Sequence, residues 1–234
     1  MTTAAALSRY ADLPALIGLM EGDEKHTEAA HSTLDVVWVL YDRVLAVTPD
    51  TAEAPDRDRF LLSKGHGPAA FYAVLAAKGF LDVPTLRSWA AFDSPLGHHP
   101  DRVLVPGAEI GSGSLGHGLP LGLGTALGLR AQRIRRPDGA EPRVVVLVGD
   151  RELHEGSNHE AIAVAGRMGA DNLTVVAVDN ASSGHGWPGG IGARFGVEGW
   201  EARDVSGRDH DALYEALTRP HAGRPLAVVA RVRP

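Results

Sequence analysis

Three short apolar runs constrain the fold of this 234-residue chain more than any other feature. They lie within predicted strands at 143–148, 173–179 and 225–230, and they are rich in valine. None alternates apolar with polar residues, as a strand with one solvated face would. Segments with helical spacing separate the runs, which is typical of parallel strands covered on both sides. We therefore predict an α/β fold with a mostly parallel sheet and helices on both faces.

The rest of the chain supplies one more strand and the predicted helices. Residues 59–63 are predicted to form a strand, which the turn KGHG at 64–67 follows. Glycine-rich stretches at 107–118 and 182–193 are predicted to be loops. The predicted helices, the first of them with Ser32 as its N-cap residue, lie at about 32–47, 68–78, 81–92, 118–132, 155–168 and 208–218.

Composition excludes several classes of protein. The chain has no cysteine, so disulfides, thiolate nucleophiles and cysteine-ligated zinc sites are excluded. Its net charge is −6 and it has no long run of Lys or Arg, so we expect no nucleic-acid partner. The first 20 residues lack the basic region of a signal peptide, and the weakly polar stretch 115–129 is too short to span a bilayer. We expect one domain over residues 1–234, in a cytoplasmic protein with no membrane partner.

Two polar residues follow neighbouring predicted strands. Asp150 comes directly after one strand, and Asn180 ends the next, one strand–helix–strand unit further along the chain. If these strands are adjacent and parallel, both side chains lie at the same edge of the sheet, where open α/β folds bind ligands. Carboxylate and amide oxygens suit Mg²⁺ or Ca²⁺. The alternative is structural, because Asp also caps helices and Asn also forms turns.

Several segments resemble one family, in its order and with nearly its spacing. Gly149-Asp150 followed by Asp179-Asn180 resembles the thiamine diphosphate motif, a Gly-Asp-Gly with an Asn about thirty residues later. The other segments are FLLSKGHGPA (60–69), GSLGHG (113–118), ELHEG (152–156), FGVEGW (195–200) and GRDH (207–210). Together they are similar to the N-terminal, thiamine diphosphate-binding domain of transketolase over about residues 20–232.

The resemblance implies a cofactor and a metal. It implies that Asp150, Asn180 and the main-chain carbonyl of Ser182 bind Mg²⁺, with Ca²⁺ as a possible substitute, and that the metal holds thiamine diphosphate. The residues that it implies for binding the cofactor are His66, Gly113, Leu115, Gly149, Asp150, Arg151 and Asn180.

The resemblance also implies catalytic residues. Histidines at the positions of His26, His66 and His99 surround the thiazolium ring in transketolases, hydrogen-bond the sugar and move protons, which suits imidazole near neutral pH. Glu155 resembles the glutamate at the subunit interface that couples two cofactors. The alternatives are ordinary ones: a histidine is more often solvated or packed than catalytic, and Glu155 is also a carboxylate favoured at a helix N-terminus.

Arg151 is the main departure from the family pattern, since it replaces the second glycine of Gly-Asp-Gly. That glycine lets the backbone approach the diphosphate. An arginine could clash with the cofactor, or its guanidinium could bind the phosphates. We keep both interpretations open at this point.

A complete transketolase continues into a pyrimidine-binding domain and a C-terminal domain, whereas this sequence ends at RVRP (231–234). We therefore expect the N-terminal subunit of a two-component transketolase, completed by a separately encoded C-terminal subunit in an α2β2 assembly. It would transfer a two-carbon ketol unit from a ketose or ketose phosphate to an acceptor. The alternatives are a related thiamine diphosphate enzyme subunit, which would use a 2-oxo acid or a carrier-bound acceptor, and a non-catalytic scaffold subunit.

Overall fold

The computed structural model describes residues 8–20, 27–183, 186–221 and 223–232. Within them, five parallel strands form one sheet in the order β1-β2-β3-β5-β4. The strands are β1 (Arg59–Leu62), β2 (Val144–Gly149), β3 (Leu173–Asp179), β4 (Glu201–Ser206) and β5 (Leu226–Arg231). The prediction of an α/β fold with a parallel sheet is confirmed.

Eight α-helices connect and cover these strands in the described part of the chain. They are α1 (Leu13–Ile17), α2 (Thr27–Val39), α3 (Pro68–Ala77), α4 (Val83–Leu86), α5 (Gly118–Ala131), α6 (Gly156–Arg167), α7 (Ile191–Val197) and α8 (His210–Thr218). A π-helical turn, Leu40–Val44, continues α2. None of the described helices has the length and apolar character needed to cross a membrane.

The apolar runs are continuous because both faces of the sheet are buried. All six residues of β2 are buried. Val145 and Leu147 pack on one side, in a cluster with residues of α2, α3 and α8. Val144 and Val146 pack on the other side, with residues of α5 and α6. Successive side chains of a strand point to opposite faces, so each face needs its own apolar set, and β2 supplies both.

Two local predictions were wrong, and three elements were not predicted. The helix predicted for 32–47 is α2, which begins at Thr27, and Ser32 is buried inside it and is not its N-cap. The helix predicted for 81–92 is the single turn α4, because Ala90 adopts φ 60° and donates its N–H to Leu96 O at 2.8 Å. Helices α1 and α7 and strand β4 were not predicted at all. β4 lies at the sheet edge with most of its residues partly exposed, so it lacks the apolar run that marks the central strands.

Candidate functional site

The carboxyl edge of the sheet brings Asp150 and Asn180 together, as their spacing predicts. β2 and β3 are adjacent, and Gly149 pairs with Val178 in the parallel register. The pairing continues past the strand, since the N–H of Asp150 donates to the carbonyl of Val178 at 3.1 Å. Asp150 is buried and Asn180 is half-buried. Both polar side chains therefore follow neighbouring strands at one edge.

The carboxylate of Asp150 holds the loop that follows β3. Its Oδ1 accepts hydrogen bonds from Ser182 Oγ at 2.6 Å and from the N–H of Arg151 at 2.8 Å. Its Oδ2 accepts from the N–H of Ser183 at 3.0 Å. The amide oxygen of Asn180 accepts from the N–H of Ser182 at 3.2 Å, which makes the turn that the structural alternative predicted. Asp150 does not cap helix α6, which begins at Gly156.

The side chain of Arg151 contacts the same loop. Its Nε and Nη2 donate to the carbonyl oxygen of Ser182 at 3.2 and 2.6 Å. This carbonyl is the main-chain group that the resemblance implies as a metal ligand. The backbone of Arg151 has φ −68° and ψ −38°, which any L-residue adopts. A glycine is therefore not required at this position for conformational reasons.

A cavity of about 470 Å³ opens beside this loop. Its lining includes seven of the residues predicted for the cofactor or the metal, together with Lys64, Gly65 and Glu152. The seven are His66, Leu115, Gly149, Asp150, Arg151, Asn180 and Ser182. Residues from four separate segments of the chain thus surround one space.

Lys64 is a functional candidate that sequence reasoning missed. Its side chain is buried, and its Nζ donates to the carbonyl oxygen of His66 at 2.9 Å. Burial lowers the pKa of Lys64 to about 8, against the opposing charges of Asp150 and Glu152. At neutral pH it therefore places a positive charge on the cavity wall. Lys64 lies in the segment SKGH (63–66), in which only His66 was predicted to be functional.

Glu152 was missed as well, and it organises the glycine-rich loop. Its Oε1 accepts from Ser63 Oγ and, at 3.0 Å, from the N–H of Gly116, while its Oε2 accepts from the N–H of Gly149 at 3.3 Å. Burial raises the pKa of Glu152, and these hydrogen bonds act in the opposite direction. The carboxylate thereby ties the loop before α5 to the ends of β1 and β2.

A second, smaller cavity of about 80 Å³ lies next to the first, and His66 lines both. His98 and His99 also line it, and the ring of His98 meets the ring of Trp89 edge-on at 5.5 Å. His99 lies against Gly113, because a Cβ on that glycine would be 2.9 Å from the imidazole ring. The structure therefore brings His66, His99 and Gly113 to the same end of the site.

Two predicted catalytic residues are not placed at these cavities. His26 lies outside the described residues. Glu155 is exposed and is the N-cap residue of α6, the position that the structural alternative gave it. It contacts the glycine-rich loop, since a Cβ on Gly116 would be 2.5 Å from the Cβ of Glu155. Its predicted coupling role stays a prediction.

Comparison with known proteins identifies the family. The family described as "Transketolase, thiamine diphosphate binding domain" matches residues 18–232. The chain belongs to this family. The predicted resemblance to the N-terminal domain of transketolase is confirmed, and with it the thiamine diphosphate-binding α/β fold.

Two relatives and one solved structure show the extent of the likeness. Ferredoxin fas2 of Rhodococcoides fascians is 55% identical over 223 residues, covering 95% of this chain and 72% of that protein. One subunit of the apulose-4-phosphate transketolase of Actinobacillus succinogenes is 33% identical over 213 residues, covering 88% and 75%. A transketolase of Pichia stipitis in complex with sedoheptulose-7-phosphate is 25% identical with a TM-score of 0.78, covering 95% of this chain and 36% of that one.

These matches correspond to a transketolase-type N-terminal subunit that depends on thiamine diphosphate. The chain spans three quarters of the apulose-4-phosphate transketolase subunit but just over a third of the solved transketolase. The word ferredoxin in the name of the first relative does not imply an iron–sulfur cluster in this chain. Cysteine thiolates hold the clusters of ferredoxins, and this chain has no cysteine.

Proposed function

We propose that this chain is the cofactor-binding subunit of a two-component transketolase, and that it transfers a two-carbon ketol unit from a ketose phosphate to an acceptor. The observation that carries the proposal is the large cavity at the carboxyl edge, which Asp150 and Asn180 line together with His66 and Leu115. Relatives that are themselves separate subunits of transketolases support it. The two apolar clusters on the faces of one sheet support a single domain.

The residues at the carboxyl edge fit a hard divalent cation. Asp150 is a buried carboxylate whose charge interacts with that of the buried Lys64. Asn180 and the carbonyl of Ser182 add two neutral oxygens, and this oxygen-only set suits Mg²⁺, or Ca²⁺ in its place. No group of three or more His, Asp or Glu side chains among the described residues forms another metal site. We propose Asp150, Asn180 and the Ser182 carbonyl as the metal ligands.

The same cavity fits a diphosphate. Gly149 leaves no side chain over the strand end, and Lys64 supplies a positive charge beside it. Leu115 and Gly113 would line the space for the cofactor rings. The side chain of Leu115 is apolar and partly exposed. Thiamine diphosphate, when bound, supplies the nucleophilic carbon and the electron sink for ketol transfer.

The histidines would handle the sugar. His66 lies between the two cavities, so a substrate that spans both would meet its imidazole. His99 lies in the smaller cavity and is exposed. We propose that these two, with His26, hydrogen-bond sugar hydroxyls and move protons. Glu155 would then contribute at an interface, where its exposure at the start of α6 makes it available.

A partner subunit is needed to close the site. The cavity opens at an exposed edge, and Leu115 at its wall is 38% exposed. The chemistry that thiamine diphosphate would supply here calls for a wall that excludes water. We propose that a separately encoded C-terminal subunit supplies this wall in an α2β2 assembly in the cytoplasm, with no nucleic-acid or membrane partner.

Reconstitution tests the proposal. The chain would be produced together with the product of the neighbouring gene, and ketol transfer between a ketose phosphate and an aldose phosphate would be followed by product formation. We expect activity only when both subunits, thiamine diphosphate and Mg²⁺ are present, and its loss in Asp150→Ala. Asp138→Ala, an exposed carboxylate in a distant loop, is the control and should stay active. A complex that binds the cofactor but processes only 2-oxo acids would replace transketolase with the related enzyme class.

A further inference from the structure

We infer that Arg151 couples the binding of the diphosphate to the binding of the divalent metal. In the ligand-free chain its guanidinium covers the carbonyl of Ser182 and opposes the metal. In the loaded chain it binds the diphosphate and leaves the carbonyl to the metal. This inference rests on the proposed function and adds a specific task for a residue at which this chain departs from Gly-Asp-Gly.

The guanidinium of Arg151 is hydrogen-bonded to a neutral acceptor, which it can exchange for a charged one. Arg151 is exposed, whereas Asp150 and Glu152 on either side of it are buried. Its side chain donates to one group, the carbonyl oxygen of Ser182, and forms no ion pair with a described carboxylate. Hydrogen bonds from a guanidinium to phosphate are charge-assisted and often bidentate, and therefore stronger than those to a neutral carbonyl. A diphosphate in the cavity would thus draw the side chain toward it.

The guanidinium and the metal oppose each other when no diphosphate is present. Both are cations, and the proposed ligand set gives them the same carbonyl oxygen. Two like charges a few ångströms apart repel strongly where water is partly excluded. The carboxylate of Asp150, already engaged by three hydrogen bonds, offsets only part of the combined charge of the guanidinium and the metal. The metal alone should therefore bind weakly.

Backbone geometry leaves the arginine free to do this without strain. The right-handed conformation of residue 151 accepts any L-residue. The cavity lining includes both Arg151 and Asp150, so the proposed switch calls for a change of side-chain rotamer and no movement of the backbone. Arg151 thus adopts an ordinary backbone conformation and lines the cavity, which suits the clamp, one of the two interpretations that the sequence left open.

The experiment measures binding and not turnover. Dissociation constants would be determined for Mn²⁺ alone, from the signal of free Mn²⁺ in electron paramagnetic resonance. Those of the Mn²⁺–thiamine diphosphate complex would be determined by calorimetry. The proteins are the full wild-type chain, Arg151→Gly and Arg151→Lys. Arg135→Gly removes an exposed arginine from a distant loop and is the matched control for net charge.

For Arg151→Gly we expect the two affinities to change in opposite directions. Binding of Mn²⁺ alone should tighten severalfold because the repulsion is gone. Binding of the Mn²⁺–thiamine diphosphate complex should weaken about tenfold, the usual size of one lost charge-assisted hydrogen bond. Arg151→Lys keeps the positive charge but lacks the planar guanidinium that can donate two parallel hydrogen bonds. Its two affinities should lie between those of Arg151→Gly and the wild type. Arg135→Gly should match the wild type.

The other outcomes separate this inference from the proposed function. Equal affinities in the wild type and in Arg151→Gly would overturn the inference while the proposed function stands. Binding of the complex by Arg151→Gly alone would mean that arginine closes the site, and would also overturn it. If no variant binds the complex, with or without the partner subunit, the proposed function fails and the inference fails with it.

Discussion

Two buried aspartates at opposite ends of the sheet have contrasting surroundings. Asp58 lies directly before β1, at the amino edge, and Asp150 lies directly after β2, at the carboxyl edge; they are 1% and 3% exposed. Asp58 accepts from the N–H groups of Ala46 and Arg143, at 2.9 and 2.7 Å, and from the guanidinium of Arg136 at 3.1 Å. Within the described residues, Asp150 accepts hydrogen bonds from neutral donors, and the guanidinium of the neighbouring Arg151 donates to Ser182 O.

We interpret the difference as one between a structural carboxylate, Asp58, and a carboxylate that the proposed function assigns to a ligand, Asp150. An ionised carboxylate is expensive to bury unless a cation accompanies it. Asp58 has its cation within the chain, so its charge is neutralised whether or not anything binds. Asp150 has no hydrogen-bonded cation among the described residues; Lys64 interacts with its charge, and both residues line a cavity. In the proposed function, a cation that arrives with the cofactor would bind this group.

Removing each aspartate tests this comparison most strongly. Asp58→Ala should destabilise the fold by about 3–5 kcal/mol, because the guanidinium of Arg136 and two backbone amides would lose their buried partner. Asp150→Ala should cost about 1–3 kcal/mol, since it leaves only neutral donors at a partly exposed loop. Urea unfolding followed by circular dichroism gives both values. An equal cost for the two substitutions would show that Asp150 is as structural as Asp58.

A second pair of substitutions asks whether Glu152 is part of the scaffold. Glu152→Ala should lower the free energy of unfolding by about 2–4 kcal/mol, since Ser63, Gly116 and Gly149 lose one shared acceptor. Glu152→Gln keeps an acceptor oxygen and should cost less than half of that. The same unfolding assay applies. If Glu152→Ala left stability unchanged but abolished cofactor binding, the residue would belong to the ligand-binding group with Asp150.

Acid unfolding tests Asp35, another buried carboxylate that is paired with a cation of the same chain, Arg208. Burial acts to raise the pKa of Asp35, but hydrogen bonds from Tyr10, Arg208 and His210 outweigh it and hold the pKa below its usual value. Because the folded-state pKa lies below the unfolded-state one, this stabilisation is complete above pH 4 and declines as the pH falls further.

Asp35→Asn should therefore lower stability at pH 7 by about 1–3 kcal/mol and flatten its decline below pH 4. Unfolding curves at a series of pH values measure both effects. A mutant whose stability falls below pH 4 as steeply as that of the wild type would assign the decline to other carboxylates.

Two glycines provide the smallest and most local test. Gly113 has φ 111° and lies against His99, so Gly113→Ala should destabilise the chain by about 1–2 kcal/mol and displace that imidazole. Gly124 lies within α5 with nothing within 4 Å of an added Cβ, so Gly124→Ala should stabilise by about 0.5–1 kcal/mol. Thermal unfolding compares them. If both substitutions stabilised, the contact of Gly113 with His99 would not constrain the loop.

Local sequence was sufficient for some of these features and not for others. The valine-rich runs predict β2, β3 and β5 because both faces of each strand are buried, and the spacing of Asp150 and Asn180 predicts their meeting. The roles of Glu152 and Lys64 were not predicted because their hydrogen-bond partners are distant in sequence. Ser63 is 89 residues from Glu152, and Ser32 is 32 residues from Lys64. Strand β4 was not predicted because an edge strand does not need a continuous run of apolar residues. The orientation of Arg151 depends on Ser182, 31 residues away, and follows from packing alone.

The most direct test of the account is calorimetric titration of thiamine diphosphate into the chain with Mg²⁺, alone and with the partner subunit. Wild type would be compared with Asp150→Ala, and with Asp138→Ala as a folded control that alters a distant carboxylate. We predict binding that requires Mg²⁺ and weakens by about 100-fold or more in Asp150→Ala, equivalent to ~2.7 kcal/mol. Binding of equal strength in Asp150→Ala, or no binding by the wild type in either state, would contradict the assignment of this edge to a metal-held diphosphate.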